Sequence, residues 1–129
     1  MTKFPFLTSA HAIIVLRILT ALIFVVHAIV RVVGATIDRF GEFLNDKGFV
    51  YGVLIVWILT IYEIAGGLLL AIGIFARWLA LGFIIIIAVG IVIIHAANGW
   101  FVGEHGTGGM EYSFLLIAAL LVIAATDKK

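Results

Sequence analysis

Several ionisable side chains interrupt the long apolar segments of this 129-residue chain or stand at their edges. His27 and Arg31 are one helical turn apart, His95 lies near the end of a later apolar segment, and Glu111 opens the last one. Histidine exchanges protons near neutral pH, a carboxylate accepts them, and arginine donates several hydrogen bonds. Beside apolar walls, these groups suit a quinone headgroup, which needs hydrogen-bond donors and a proton acceptor.

We therefore predict a quinone-binding site near the outer edge of the apolar region, built from four segments of the chain. His27, His95 and Glu111 are the predicted catalytic residues. The predicted contacts with the quinone headgroup are Arg31, Asn98, Trp100 and Tyr112.

The same residues allow other interpretations. His27, His95 and Glu111 could instead form a structural hydrogen-bond network, because polar side chains commonly join helices inside membranes. A b-type haem between the two histidines is a further alternative. Glu104, His105 and Glu111 lack the Glu-x-x-His spacing of helix-borne metal sites, and the chain has no cysteine, so no metal site is predicted.

A second group of polar residues lies deeper in the apolar segments. At about 100° per residue, Arg17, His27 and Arg31 share one helix face, which must point inward. Glu63 stands near the middle of the second apolar segment. A charge at that depth normally has a partner, so we predict that Arg17 and Glu63 form a buried ion pair or a proton relay.

Composition defines the environment of these residues. The chain is 65% hydrophobic and 12% charged, and its mean hydropathy is +1.34. Ordinary soluble domains are about 45–50% apolar and about 25% charged. The composition excludes a water-soluble enzyme, and a net charge of +1 offers no surface for nucleic acid. We predict a single membrane domain over residues 1–129.

Four apolar segments approach the roughly 20 residues that a helix needs to cross a bilayer. They cover about residues 12–33, 50–75, 78–97 and 110–126. The predicted fold class is therefore all-α, an integral membrane bundle of four transmembrane helices.

A short amphipathic helix is predicted between the first two spans. Apolar residues recur there at helical spacing, while charged residues occupy the other face, a pattern typical of a helix lying on a membrane surface. The apolar set is Val33, Ile37, Phe40, Phe43 and Leu44, and the charged set is Asp38, Arg39, Glu42 and Asp46.

The distribution of basic residues predicts the orientation. With four spans both termini lie on one side, which also holds Arg77 in the second turn. Lys3, Lys128 and Lys129 add positive charge to that side, so the positive-inside rule places both termini in the cytoplasm. The expected partners are the lipid bilayer and either further copies of the chain or a larger protein, because glycine-lined helix faces favour association.

The order of these elements resembles the DoxX family of small four-span membrane proteins. The resemblance rests on Arg17, His27 and Arg31 in the first span and on the Glu63-x-x-Gly-Gly67 and Gly108-Gly-x-Glu-Tyr112 segments. It also includes His95 and the Asn98-Gly-Trp-Phe101 run. The chain departs from the family pattern at Ala28, where glycine is frequent, and at Arg31, where lysine is usual.

The resemblance implies a subunit of a quinone-linked membrane oxidoreductase, related to sulfur oxidation, thiol chemistry or oxidative stress, in the inner membrane of a prokaryotic-type cell. Whether the chain itself is an enzyme stays open. One alternative is a non-catalytic scaffold or assembly subunit whose buried polar residues are structural. A small transporter or channel is a third possibility, supported by Glu63 at mid-depth.

Overall fold

The computed structural model describes residues 6–104 and 108–128. This part of the chain is helical and contains no strand. The five helices are α1 (Ser9–Val33), α2 (Ile37–Asp46), α3 (Gly52–Ile72), α4 (Ala76–Asn98) and α5 (Glu111–Thr126).

Three of these helices, α1, α3 and α4, are long and apolar enough to cross a membrane. They contain 25, 21 and 23 residues with hydropathies of 2.7, 2.2 and 2.9. The chain is thus a multi-pass membrane protein. The fourth helix, α5, is apolar but has 16 residues, so the fourth span stays a prediction.

The turn between α3 and α4 explains why the second span ends earlier than predicted. Gly73 and Phe75 both have left-handed backbone conformations, with φ of 85° and 53°. Glycine adopts such angles without steric cost, and two of them within three residues end the helix at Ile72. The apolar residues 73–75 belong to this turn, and hydropathy alone does not separate them from the helix.

Helix α2 has the amphipathic pattern expected of it. Ile37 and Leu44 are buried, whereas Asp38, Arg39 and Glu42 are exposed. The helix packs its buried face on the start of α3. Its location at a membrane surface stays a prediction.

Helices α3 and α4 each contain a π-helical turn, an uncommon local widening of the helix. In α3 it covers Tyr62–Gly66 and in α4 it covers Ile91–His95. The Tyr62 hydroxyl crosses to α4 and donates a hydrogen bond of 2.9 Å to the Leu79 carbonyl. Because Gly82 has no side chain, the Tyr62 ring can lie against its backbone.

The main core joins α1, α3, α4 and α5. Phe83 of α4 lies at its centre, fully buried, and stacks on Phe24 of α1 with ring centroids 4.1 Å apart. Tyr62 of α3 meets the same ring at 4.9 Å. The fully buried Leu120 of α5 belongs to the same cluster, so these four helices form one packed body.

Candidate functional site

A cavity of about 460 Å³ lies among all five helices. Its volume falls within the roughly 300–1,000 Å³ of typical small-molecule sites. The walls are mainly aliphatic and aromatic, with a few polar groups among them. The polar lining residues are His27, Arg31, Glu63, His95, Tyr112 and Ser113.

A buried ion pair forms one wall of this cavity. Arg31 Nη1 donates to Glu63 Oε2 at 2.7 Å and to the Thr60 hydroxyl at 2.9 Å. Thr60 in turn donates to the Val56 carbonyl at 2.7 Å. The Arg31 guanidinium carbon also lies 5.4 Å from the centre of the Phe40 ring of α2, within the range of a cation–π contact. Glu63 is 5% exposed, so this network neutralises a carboxylate withdrawn from solvent.

The Glu63 partner differs from the predicted one. Both Nε and Nη2 of Arg17 approach the Ala71 carbonyl at 3.4 Å, and its guanidinium lies beside Gly73. Arg17 is therefore level with Gly73, ten residues from Glu63 along α3. At 1.5 Å per residue this places the Arg17 guanidinium about 15 Å from the level of Glu63, so the two groups do not form an ion pair.

The close approach of α1 and α3 sets this register. A Cβ at Gly67 would lie 2.6 Å from a Val25 methyl group and 3.3 Å from the Ala21 carbonyl. Gly67 is thus level with the middle of α1, and Glu63, one turn away, is level with the His27–Arg31 turn. The predicted Arg17–Glu63 pair is corrected to Arg31–Glu63.

Both predicted catalytic histidines line the cavity, from different helices. His27 of α1 places Nδ1 2.8 Å from the Ile23 carbonyl, one turn back on the same helix. His95 of α4 places Nδ1 3.0 Å from the Gly108 carbonyl, shortly before α5 begins. Each ring is thus oriented by a backbone oxygen, which leaves its other nitrogen available.

The first turn of α5 contributes two hydroxyl groups to the cavity lining. Tyr112 is the predicted one. Ser113, whose residue is 5% exposed, was not predicted. Its position next to Tyr112, on a helix that packs on α4, is the feature that could have indicated Ser113 as a lining residue. Phe40 and Leu44 of α2 were also missed as cavity walls, although the amphipathic pattern had identified their face.

Glu111 was predicted to belong to the site, but it does not line the cavity. Its Oε1 accepts a hydrogen bond of 2.8 Å from the Val102 N–H. The Glu111 N–H donates to the Trp100 carbonyl at 2.9 Å, and the Met110 N–H donates to the Gly99 carbonyl at 3.0 Å. These bonds fasten the segment after α4 to the start of α5.

Asn98 and Trp100 are also absent from the cavity lining. Both are exposed, and the Trp100 ring packs on Phe114 with centroids 5.4 Å apart. His105 lies outside the described residues. Among residues 6–104 and 108–128, no group of three or more His, Asp or Glu side chains could hold a metal ion.

We expect Glu111→Ala to lower the free energy of unfolding by about 1–2 kcal/mol, the loss of a charge-assisted hydrogen bond and of a negative charge at a helix start. Because Glu111 does not line the cavity, ligand affinity should change less than about twofold, a shift well below 1.4 kcal/mol. Thermal unfolding in detergent and ligand titration measure the two effects. A large loss of affinity with unchanged stability would return Glu111 to the site.

These features define a class: a multi-pass helical membrane protein whose cavity combines apolar walls with an arginine–glutamate pair and two histidines. The DoxX family model matches residues 12–96, more than half of the chain, and the chain belongs to the DoxX family. The match includes the ion pair and His95, and it ends before α5. No curated protein and no solved structure is significantly similar to the chain.

Proposed function

We propose that this protein is the membrane subunit of a quinone-linked oxidoreductase and binds the quinone headgroup in the cavity. The observation that carries the proposal is the meeting of His27, His95, Arg31 and Tyr112 around one largely apolar cavity of about 460 Å³. A headgroup ring needs apolar walls, its carbonyl oxygens need hydrogen-bond donors, and histidines can exchange the two protons that the quinone takes up on reduction. The electrons come from a partner subunit that oxidises sulfur compounds or thiols, as the family resemblance implies.

The contacts at the two ends of the helix bundle support an orientation of this subunit in the membrane. At one end, the Arg77 N–H donates to Asp127 Oδ2 at 3.0 Å and so joins the start of α4 to the end of α5. The cavity and α2 lie toward the opposite end. We propose that α5 is the fourth span, that the Arg77 end faces the cytoplasm with both termini, and that α2 lies at the outer surface of an inner membrane.

Gly90 offers a test that leaves every polar lining residue in place. It lines the cavity, and a Cβ built there meets no atom within 4 Å. Gly90→Phe should fill the cavity and weaken binding of ubiquinone-1 at least about tenfold, equivalent to 1.4 kcal/mol. Gly90→Ala, the matched control, should bind within about twofold of the unmodified protein.

Titration of the purified protein with ubiquinone-1, followed by tryptophan fluorescence, measures these affinities. Equal binding by both Gly90 variants and the unmodified protein would place the quinone elsewhere. Absence of binding by all three proteins would contradict the proposal and favour the scaffold alternative. One observation supports that alternative: the buried Glu63 carboxylate has its counter-charge, Arg31, within the protein.

A further inference from the structure

We infer that the cavity selects the reduced form of its ligand, a hydroquinone, whose two hydroxyl groups donate to Nε2 of His27 and Nε2 of His95. This inference rests on the proposed function and specifies the redox state that the site prefers. It follows from the hydrogen-bonding state of the two imidazole rings.

Backbone oxygens fix the tautomer of both histidines. A carbonyl oxygen can only accept a hydrogen bond, so the nitrogen bonded to it must carry the proton. Nδ1 is the nitrogen that contacts a carbonyl in both rings, Ile23 for His27 and Gly108 for His95. In the neutral ring, Nε2 then has a lone pair and no proton, which makes it a hydrogen-bond acceptor.

Neither acceptor is used elsewhere in the described part of the chain. Within residues 6–104 and 108–128, Nε2 of His27 and Nε2 of His95 have no hydrogen-bond partner, and both rings line the cavity. The two imidazole rings therefore present two acceptors to the cavity, one from α1 and one from α4. A ligand that matches them must bring two donors.

The hydrogen-bond donors of the cavity do not reverse this preference. Arg31 uses Nη1 for Thr60 and Glu63, while its remaining N–H groups and the Tyr112 hydroxyl can donate to a ligand oxygen. A phenolic hydroxyl oxygen also accepts such a bond, although less strongly than a quinone carbonyl. Donors therefore serve both redox forms, whereas the histidine acceptors are satisfied only by the hydroquinone. Bound quinone would offer no donor to either Nε2 atom.

Three compounds that share the same tetramethylated six-carbon ring separate these possibilities. Tetramethylhydroquinone has two donors, tetramethylbenzoquinone has none, and the dimethyl ether of the hydroquinone keeps the ring oxygens but has no O–H. Under anaerobic titration at neutral pH, we expect the hydroquinone to bind about tenfold more tightly than either of the others, a difference of about 1.4 kcal/mol.

Histidine variants test the assignment of the two acceptors. His27→Phe and His95→Phe keep a ring at each position and remove Nε2, so each should lower the affinity for the hydroquinone and leave that for the quinone within about twofold. Glu111→Gln, outside the cavity lining, is the control and should keep the full preference.

The outcomes distinguish this inference from the proposal on which it rests. Quinone binding as tight as hydroquinone binding overturns the selection of the reduced form and leaves the quinone site standing. A tenfold preference that survives in both histidine variants also overturns it. Absence of binding for all three compounds contradicts the inference and the proposed function together.

Discussion

Replacing Glu63 with leucine is expected to lower the free energy of unfolding by about 3–5 kcal/mol, because the change leaves the buried Arg31 guanidinium without its counter-charge. The side chains of Arg31 and Glu63 are only 13% and 7% exposed, so water in the cavity would replace the lost carboxylate only in part. Among the described residues, Thr60 would remain as the only hydrogen-bond partner of the Arg31 guanidinium. Unfolding of the purified protein in detergent, with increasing denaturant, measures the loss.

A double variant distinguishes the contribution of the ion pair to stability from the contribution of side-chain packing by Arg31 and Glu63. Arg31→Met combined with Glu63→Leu removes both charges and should restore much of the stability, since well-packed apolar residues often replace a buried ion pair without loss. Arg17→Met is the control, because Arg17 contacts the Ala71 carbonyl and not Glu63. Additive effects in the double variant would show that Arg31 and Glu63 are not coupled and would contradict the observed pairing.

Gly52→Ala is expected to have an effect of similar size, about 3 kcal/mol, through steric overlap of α2 with α3. A Cβ at Gly52 would lie 2.0 Å from the Gly41 carbonyl oxygen, a backbone atom that cannot turn aside. The Gly52 N–H also donates to Asn45 Oδ1 at 2.8 Å, and separation of the helices would break that bond. Since α2 supplies Phe40 and Leu44 to the cavity, ligand affinity should fall as well.

Gly90→Ala is the matched control for this second prediction, because it adds the same methyl group to a helical glycine with open space around it. It should leave stability unchanged or raise it by about 0.5–1 kcal/mol. Thermal unfolding of the two variants side by side measures the difference. Similar stability of both would mean that α2 is free to move away from α3, and the close packing at Gly41 would be disproved.

The positions of α1, α3 and α4 follow from the sequence because each is a hydrophobic segment long enough to cross a membrane. The amphipathic α2 was equally predictable, since its apolar residues recur at the helical period. His27, His95, Arg31 and Tyr112 were predicted to converge, and they line one cavity. Residue type and depth along a span were sufficient for these assignments.

The pairing of Glu63 was not predictable because it depends on the sliding of α1 along α3. Hydropathy gives the depth of a residue to within a few residues, whereas an ion pair requires the register to within one turn. The packing of Gly67 on Ala21 and Val25 fixes that register, and no spacing rule indicates which glycine meets which residue. The position of Glu111 was not predictable for a related reason, since its carboxylate accepts a hydrogen bond from a backbone N–H, and no residue type or spacing indicates such a partner.

Because of the two π-helical turns, the directions of two polar side chains in the cavity depend on the number of residues in the helices that carry them. Glu63 belongs to the wide turn of α3 and His95 to that of α4. Each such turn accommodates one residue more than a regular turn, which rotates the following residues by about 100° around the helix axis. The directions of the carboxylate and the imidazole therefore depend on chain length within these helices as well as on residue identity. A relative could keep Glu63 and His95 but lack the extra residue of one π-helical turn. It would have the same two side chains in different directions, and therefore a different site.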